Sequence, residues 1–433
     1  MKTLSRFRFD LGRHDLRGVL PAALQPIMQN GILDRIFRDA LLPQFLFPAT
    51  ATVEPIAQGI GATVTFTRDG LLAVATTPTT GSDPSPQTLS YEQWSLSMEQ
   101  YSNTMDTNRL TARATLADTF VRNVQKLGIN AGQTLNQLAR NKLYASYGGG
   151  NTWVVTPQGS ASTTCVVNNA AGFDTVLVNG VPTAVSAGNP LNITLAGVAN
   201  TVVGCNLGTN TLTLGTAKIQ AVGDTATSSS APYSLRAGSR ASRYNLTGSD
   251  VMTAALVRST VQRLRTMNVP TIGGNYVCHM DPTTEAELFA DSDFKQAYQG
   301  RGDSTVFGDM SLGVFLGVDW VRNNETPVTT DGGSSANLTV HRPIFMGGDA
   351  LMAGPFEGIS DLLADTGVEE VPMISMIGPA NGVEVAMIIR PPQDRLQQIV
   401  SATWSWVGDF AVPSDITTGD ASRFKRAVVV EHV

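Results

Sequence analysis

Charged side chains are scarce in this chain: Asp, Glu, Lys and Arg make up 15% of its 433 residues, where an ordinary soluble domain carries roughly 25%. Cysteine (3) and histidine (4) are scarcer still. Each shortage excludes something. Three cysteines, Cys165, Cys205 and Cys278, cannot make a disulfide scaffold. The histidines, His14, His279, His341 and His432, lie far apart and offer no HxxxH or HExxH zinc spacing. No apolar run reaches the ~18 residues that mark a membrane-spanning helix. The opening MKTLSRFRFDLGRHD has no apolar stretch, so no signal peptide is expected. A formal charge of −6 argues against a generally basic nucleic-acid binder. There is no GxxxxGK(S/T) phosphate loop and no GxGxxG after a strand. What is present is apolar: 42% AVILMFWYC, which excludes wholesale disorder in a chain long enough for two or three domains. A surface so poor in charge fits a subunit covered by its neighbours in a permanent assembly.

The residues that carry chemistry elsewhere form no constellation here. Cys278 and His279 are adjacent in a strand-like run, so they face opposite ways and make a poor nucleophile–base pair. Cys278 and Met280 are expected in the core with His279 outward. Cys165 and Cys205 share one β-rich stretch, and a disulfide between them is disfavoured in a reducing cytoplasm. Carboxylates gather at Glu285, Glu287, Asp291 and Asp293, but the first two are two residues apart and do not share a helix face. Nothing marks the raised-pKa acid and opposed partner that glycoside hydrolysis needs. Glu369-Glu370 reads as a solvated turn, and Arg301-Gly302-Asp303, an integrin-like tripeptide, as a surface or inter-subunit loop. Asn192, Asn245, Asn324 and Asn337 open glycan sequons that are expected to be accidental without a secretion signal. No catalytic, cofactor-binding or metal residue is assigned, and no cofactor is expected.

Along the chain, residues 1–18 hold Lys2, Arg6, Arg8, Arg13 and Arg17 against Asp10 and Asp15, the pattern of an arm lying over a partner or a polyanion. Apolar spacing from Pro21 to Leu42 predicts helix, with Gly31 dividing it in two. Residues 61–101 read as a long hairpin: Val64 and Phe66 share one face, as do Trp94, Leu96 and Met98, and the Thr-, Ser- and Pro-rich stretch between is exposed. Residues 106–145 read as helix capped by Asp106 or Thr107, either one long helix bent near Gly128 and Gly132 or two in series. Gly148-Gly149-Gly150 then marks a hinge. Residues 150–235 carry three charged side chains, Asp174, Lys218 and Asp224, and a series of short alternating strands. This predicts an all-β sandwich or barrel of six or seven strands, left through a Ser228-Ser229-Ser230 linker. A helix from Ser249 to Asn268 follows, with Val251, Ala254, Ala255, Val261 and Leu264 on its apolar side. Next comes a strand from Tyr276 to Met280, and a helix capped by Asp281 with Pro282 first. NETPVTTDGGSSANLT reads as a loop, and four extended runs lead to the C-terminus.

The helix Asp250 to Met267 followed by NVPTIGGNYVCHMDPTTEAELFADSDFKQA resembles a pattern in which Pro270, Gly274, Tyr276, Pro282, Leu288, Asp291 and Phe294 match; Asp281 stands where that pattern has histidine. Gly308, Leu312, Gly317 and Val318 fit its next block. The pattern is that of the major capsid protein of tailed double-stranded DNA bacteriophages, in the group of large-virion-polymerase podoviruses. It covers roughly residues 50–145 and 245–430. The resemblance implies an α+β, HK97-like capsid fold. Its parts would be an N-terminal arm (1–55), an extended loop (56–103), a peripheral domain with a spine helix (104–146), a mainly axial domain (241–390) and a C-terminal return (391–433). The β module (147–240) would be an insertion. The implied function is a non-enzymatic subunit that assembles with itself as hexamers and pentamers into an icosahedral shell around DNA. Implied partners are a decoration or cement protein, a scaffolding protein, the portal and loosely held genomic DNA, with no membrane. The implied place is the virion, assembled in the bacterial cytoplasm. A decoration, tail or adhesin protein is the alternative that the β module favours, and a glycan hydrolase is a third.

Overall fold

The computed structural model describes residues 24–59, 61–69, 81, 83, 86–87, 91–108, 119–178, 181–229, 231, 234–299, 313–357, 373–378, 382–390, 395–396, 398–413 and 425–433. The fold is α+β, with two mixed layers and a separate barrel.

Helix α1 (Leu24–Leu41) runs unbroken through Gly31, where two helices were expected. Nothing approaches Gly31, so its only cost is the modest loss of helix propensity, which the packed face from Leu33 to Leu41 outweighs. Helix α2 (Thr119–Tyr147) likewise continues through Gly128 and Gly132. These glycines let α1 approach: a Cβ on Gly128 would stand 2.8 Å from the Phe37 carbonyl oxygen, and one on Gly132 would stand 2.9 Å from that of Leu41. Spacing of four residues puts both on one helix face. The expected bend is a contact surface instead.

The hairpin is present, with β2 (Thr63–Asp69) paired to β3 (Tyr91–Ser97). Val64 faces Leu96 and Phe66 faces Trp94, the register that the alternation implied. The strand after it was missed. β4 (Glu99–Asn108) occupies the positions read as the helix start, so Asp106 and Thr107 pair in a ladder rather than cap a helix. Its partner is β23 (Ile399–Ala411), almost three hundred residues away. β23 anchors a long sheet in which β1 (Thr52–Val53), β20 (Met352–Pro355), β23, β22 (Val385–Arg390) and β21 (Met373–Ile377) lie side by side. β21, β22 and β23 are consecutive antiparallel strands.

A second sheet lies between two cores. Its order is β13 (Ser234–Arg236), β24 (Ala427–Glu431), β19 (Ile344–Met346), β14 (Tyr276–Met280), β16 (Val318–Arg322) and β15 (Val314–Phe315). Strand alternation divides its side chains. Ala427, Val429, Ile344 and Met346 join α1, α2 and the long sheet in one core. Val428, Val430, Phe345, Cys278 and Met280 join a second core with α3 (Ala254–Thr266), α4 (Pro282–Ala290) and α5 (Ser292–Gln299). α3 begins five residues later than expected, capped by Thr253, whose hydroxyl accepts from the Leu256 amide. Its buried face is Ala254, Val257, Val261 and Leu264, while Val251 and Ala255 point outward. The loop expected before His341 is a hairpin, β17 (Val328–Gly332) with β18 (Leu338–His341).

The β-rich stretch closes on itself. β5 (Asn151–Trp153), β12 (Thr225–Ser228), β9 (Leu191–Leu195), β10 (Val198–Asn206), β11 (Thr211–Gln220) and β6 (Gln158–Val166) are antiparallel neighbours in that order. A bridge between Val154 and Val167 joins the two edges into a barrel. β7 (Thr175–Val178) and β8 (Val181–Ala184) form a side hairpin, and thirteen residues make the barrel's own core. Among the described residues, no strand from the rest of the chain enters this sheet.

Candidate functional site

The polar chemistry of the described residues is concentrated in two buried networks that long-range pairing brings together. In the first, α4 supplies Asp281, Thr284 and Glu287, β18 supplies His341, and the C-terminus supplies His432. Thr284 Oγ1 lies 2.7 Å from His432 Nε2, and His432 Nδ1 lies 2.9 Å from Glu287 Oε2. His341 Nδ1 lies 2.7 Å from Asp281, and the two imidazoles stack at 5.4 Å. The first three have the spacing of a nucleophile, base and orienting acid. Two facts remove that role. Thr284 donates its proton to Asp281 rather than to the imidazole, and both Thr284 and His432 are fully buried. The network is a tie between helix, hairpin and C-terminus. Burial alone would raise Asp281, but contacts with His341 and Thr284 outweigh it and lower its pKa. Contact with Asp281 raises that of His341. Sequence reading missed this cluster because 91 positions separate the two histidines.

In the second network, Glu431 at the end of β24 meets Arg236 at 2.7 Å, Arg342 at 3.2 Å and Arg243 at 3.5 Å. Burial pushes the carboxyl up, but the three guanidiniums prevail and hold it below its ordinary value. These arginines also clamp the barrel's root. Arg236 donates to Asn151, and Arg243 lies over the Trp153 ring at 5.4 Å. A Cβ on Gly148 would meet Arg342 at 2.5 Å, so the triple glycine expected to be a hinge is a packed junction. The Ser228 amide bonds to the Gly150 carbonyl, which sets the chain's path into and out of the barrel side by side.

The remaining candidates have structural positions. His279 is buried, not outward; its side of β14 faces Phe47, whose ring centroid is 4.2 Å away. Neither imidazole nitrogen has a partner, and burial pushes its pKa down to about 3. β14 is covered on both faces, so alternation does not bring one face to solvent. Cys278 is buried in the second core. Cys165 and Cys205 both lie opposite Leu212, one strand on each side, two strand spacings or about 9.6 Å apart and beyond disulfide reach. Burial pushes both thiols up to about 11. Glu285 holds Arg322 through two 2.8 Å contacts, Glu287 accepts the Met252 amide, Asp291 accepts the Ala254 amide, and Asp293 pairs with Arg258. Asp281 caps α4 with Pro282 next, as expected. Tyr276 bonds to the Val269 carbonyl, and Phe294 packs edge-on to Phe315 at 4.8 Å. The basic arm, most of the hairpin tip, Arg301-Gly302-Asp303 and Glu369-Glu370 lie outside the described residues.

Among the described residues no group of three or more His, Cys, Asp or Glu is placed to hold a metal ion, and no helix is long and apolar enough to cross a membrane. Three open grooves lie on the surface of the described residues. One of about 460 Å³ lies along Arg258 and Arg265 of α3, one of about 370 Å³ between the barrel and Lys142, and one of about 300 Å³ on the long sheet.

No family model and no curated protein matches the chain. Solved structures to which it is similar are of bacteriophage capsids. The cyanophage Pam1 capsid asymmetric unit has 12% identity and a TM-score of 0.49, covering 90% of this chain and 91% of that one. The capsid of Ralstonia phage GP4 has 14% identity and a TM-score of 0.46, covering 89% and 90%. The mature capsid of bacteriophage PhiM1 has 8% identity and a TM-score of 0.46, covering 89% and 86%.

Proposed function

We propose that this chain is the major capsid protein of a tailed double-stranded DNA bacteriophage, a structural subunit that assembles with itself into a closed shell. The observation that carries this reading is the β2–β3 hairpin. Among the described residues it pairs with no third strand and lies on the body instead, with Trp94 and Leu96 packed against Ile56, Met352 and Ala411. It stands beside a 29-residue helix laid against the long sheet, in the chain order that the sequence resemblance implies. The polar clusters are closed to substrates, which favours a structural role over a hydrolase. On this reading the arm, extended loop, peripheral domain, inserted barrel, axial domain and C-terminal return follow the boundaries given above, and capsomers are hexamers and pentamers. A decoration or cement protein, scaffolding protein, portal and genomic DNA are its further partners. The subunit is assembled in the host cytoplasm and resides in the virion.

Electron microscopy of the expressed chain tests the reading. Closed shells of uniform subunits are expected, and persistent monomers under all assembly conditions would refute it. Deleting residues 77–87 at the hairpin tip is expected to leave the subunit folded, by circular dichroism, while blocking assembly or lowering the shell's heat resistance.

A further inference from the structure

One face of the long sheet packs on α1 and α2, while on the other Ala386 and Ile388 are flanked by part-exposed Phe356, Ile374, Met376 and Val407. A groove of about 300 Å³ runs over this face, floored by Val53, Phe356, Met376 and Val407 and bordered by Glu357 and Glu384. Both glutamates are exposed, and neither makes an ion pair among the described residues. The site is thus an apolar trough with an acidic border.

The chain contains a segment with the complementary pattern. Arg6-Phe7-Arg8-Phe9 alternates charge and aromatic ring, so in extended form it shows Phe7 and Phe9 on one side and Arg6 and Arg8 on the other. It belongs to the basic arm of an otherwise acidic protein. From Phe9 to Leu24, where α1 begins, an extended chain spans about 50 Å. We infer that residues 6–9 of this chain dock in the groove bordered by Glu357 and Glu384, with Phe7 and Phe9 on its apolar floor and Arg6 and Arg8 toward the carboxylates. A nucleic acid or a membrane does not fit an acidic border, since both present anions. The inference does not depend on shell formation, because an unassembled chain carries both halves.

Photocrosslinking of the full chain tests it. Benzoylphenylalanine is placed at Phe9 in an equal mixture of ¹⁵N-labelled and unlabelled chains, and crosslinked peptides are mapped by mass spectrometry. The expected result is attachment to peptides containing Val53, Phe356, Met376 or Val407. Isotopically mixed products would show the arm of a second copy and unmixed ones the chain's own arm; both support the docking. The double variant Arg6→Glu/Arg8→Glu is expected to cut the yield at least fivefold, and adding Glu357→Arg/Glu384→Arg to restore it. All four positions are surface or arm residues, and circular dichroism confirms that the variants fold. Crosslinks elsewhere, no crosslinks, or a yield indifferent to charge reversal would overturn the proposal.

Discussion

The barrel and the layered body around it are built by opposite strategies. Every ladder in the barrel joins strands within residues 151–228, and two of its five, β9–β10 and β10–β11, join consecutive strands. In the body, β1 pairs with β20, β4 with β23 and β13 with β24, across most of the chain. Charge follows the same division. The barrel holds three charged residues and no histidine, whereas the body buries Arg236, Arg243, Arg342, Glu431, His279 and His432. Local pairing needs no ionic anchor; a sheet assembled from distant strands gains specificity from them, at the cost of desolvating each group.

The largest expected effect comes from removing the anion that the body's arginines share. Glu431→Gln leaves three guanidiniums facing one another, and should cost about 3–5 kcal/mol in urea unfolding of the body. The barrel's transition, followed by Trp153, should persist. A single transition lost as one unit would show that the two regions are not energetically separate.

Acid sharpens the contrast. Folded His279 refuses a proton until about pH 3, whereas the unfolded chain binds it near the ordinary 6.5. Stability therefore falls as pH drops through that window, by up to about 1.4 kcal/mol per pH unit. His341 acts oppositely: its raised value stabilises the fold below the ordinary 6.5, and this contribution is lost as pH rises through the folded value. His279→Leu should flatten the acid branch, measured as melting temperature between pH 6.5 and 4. The barrel, without histidine, should melt at a nearly constant temperature from about pH 5 to 8.

Smaller effects follow at the surfaces. Gly128→Ala and Gly132→Ala should each cost about 1–3 kcal/mol by pushing α1 off α2, as expected for overpacking; the barrel transition should not shift. The least effect is expected from Asp293→Asn. Its pair with Arg258 is more than half exposed on both sides, and the change in unfolding free energy should stay within about 1 kcal/mol.

Several features were legible before the fold was known. The register of the hairpin followed from Val64 and Phe66 against Trp94 and Leu96, because alternation alone assigns faces to a ribbon. The same local physics located β14, the Asp281 cap and the closed β stretch, which has a core of its own. Where a residue's partner is remote, reading failed. Gly128 and Gly132 looked like a bend because nothing nearby in sequence announces α1's backbone. Asp106 and Thr107 looked like helix caps because β23 lies far along the chain.

Sequence by itself determined the local units: period-two segments, helix caps, a nearly uncharged module and a basic arm, all set by interactions between residues a few positions apart. Only the tertiary structure decided that His279 is sealed beneath Phe47, that His341 stacks on His432, and that three arginines converge on Glu431. These depend on contacts between segments up to hundreds of residues apart. Burial and pairing of a charge are properties of the space it occupies, and that space exists only once the sheets have closed.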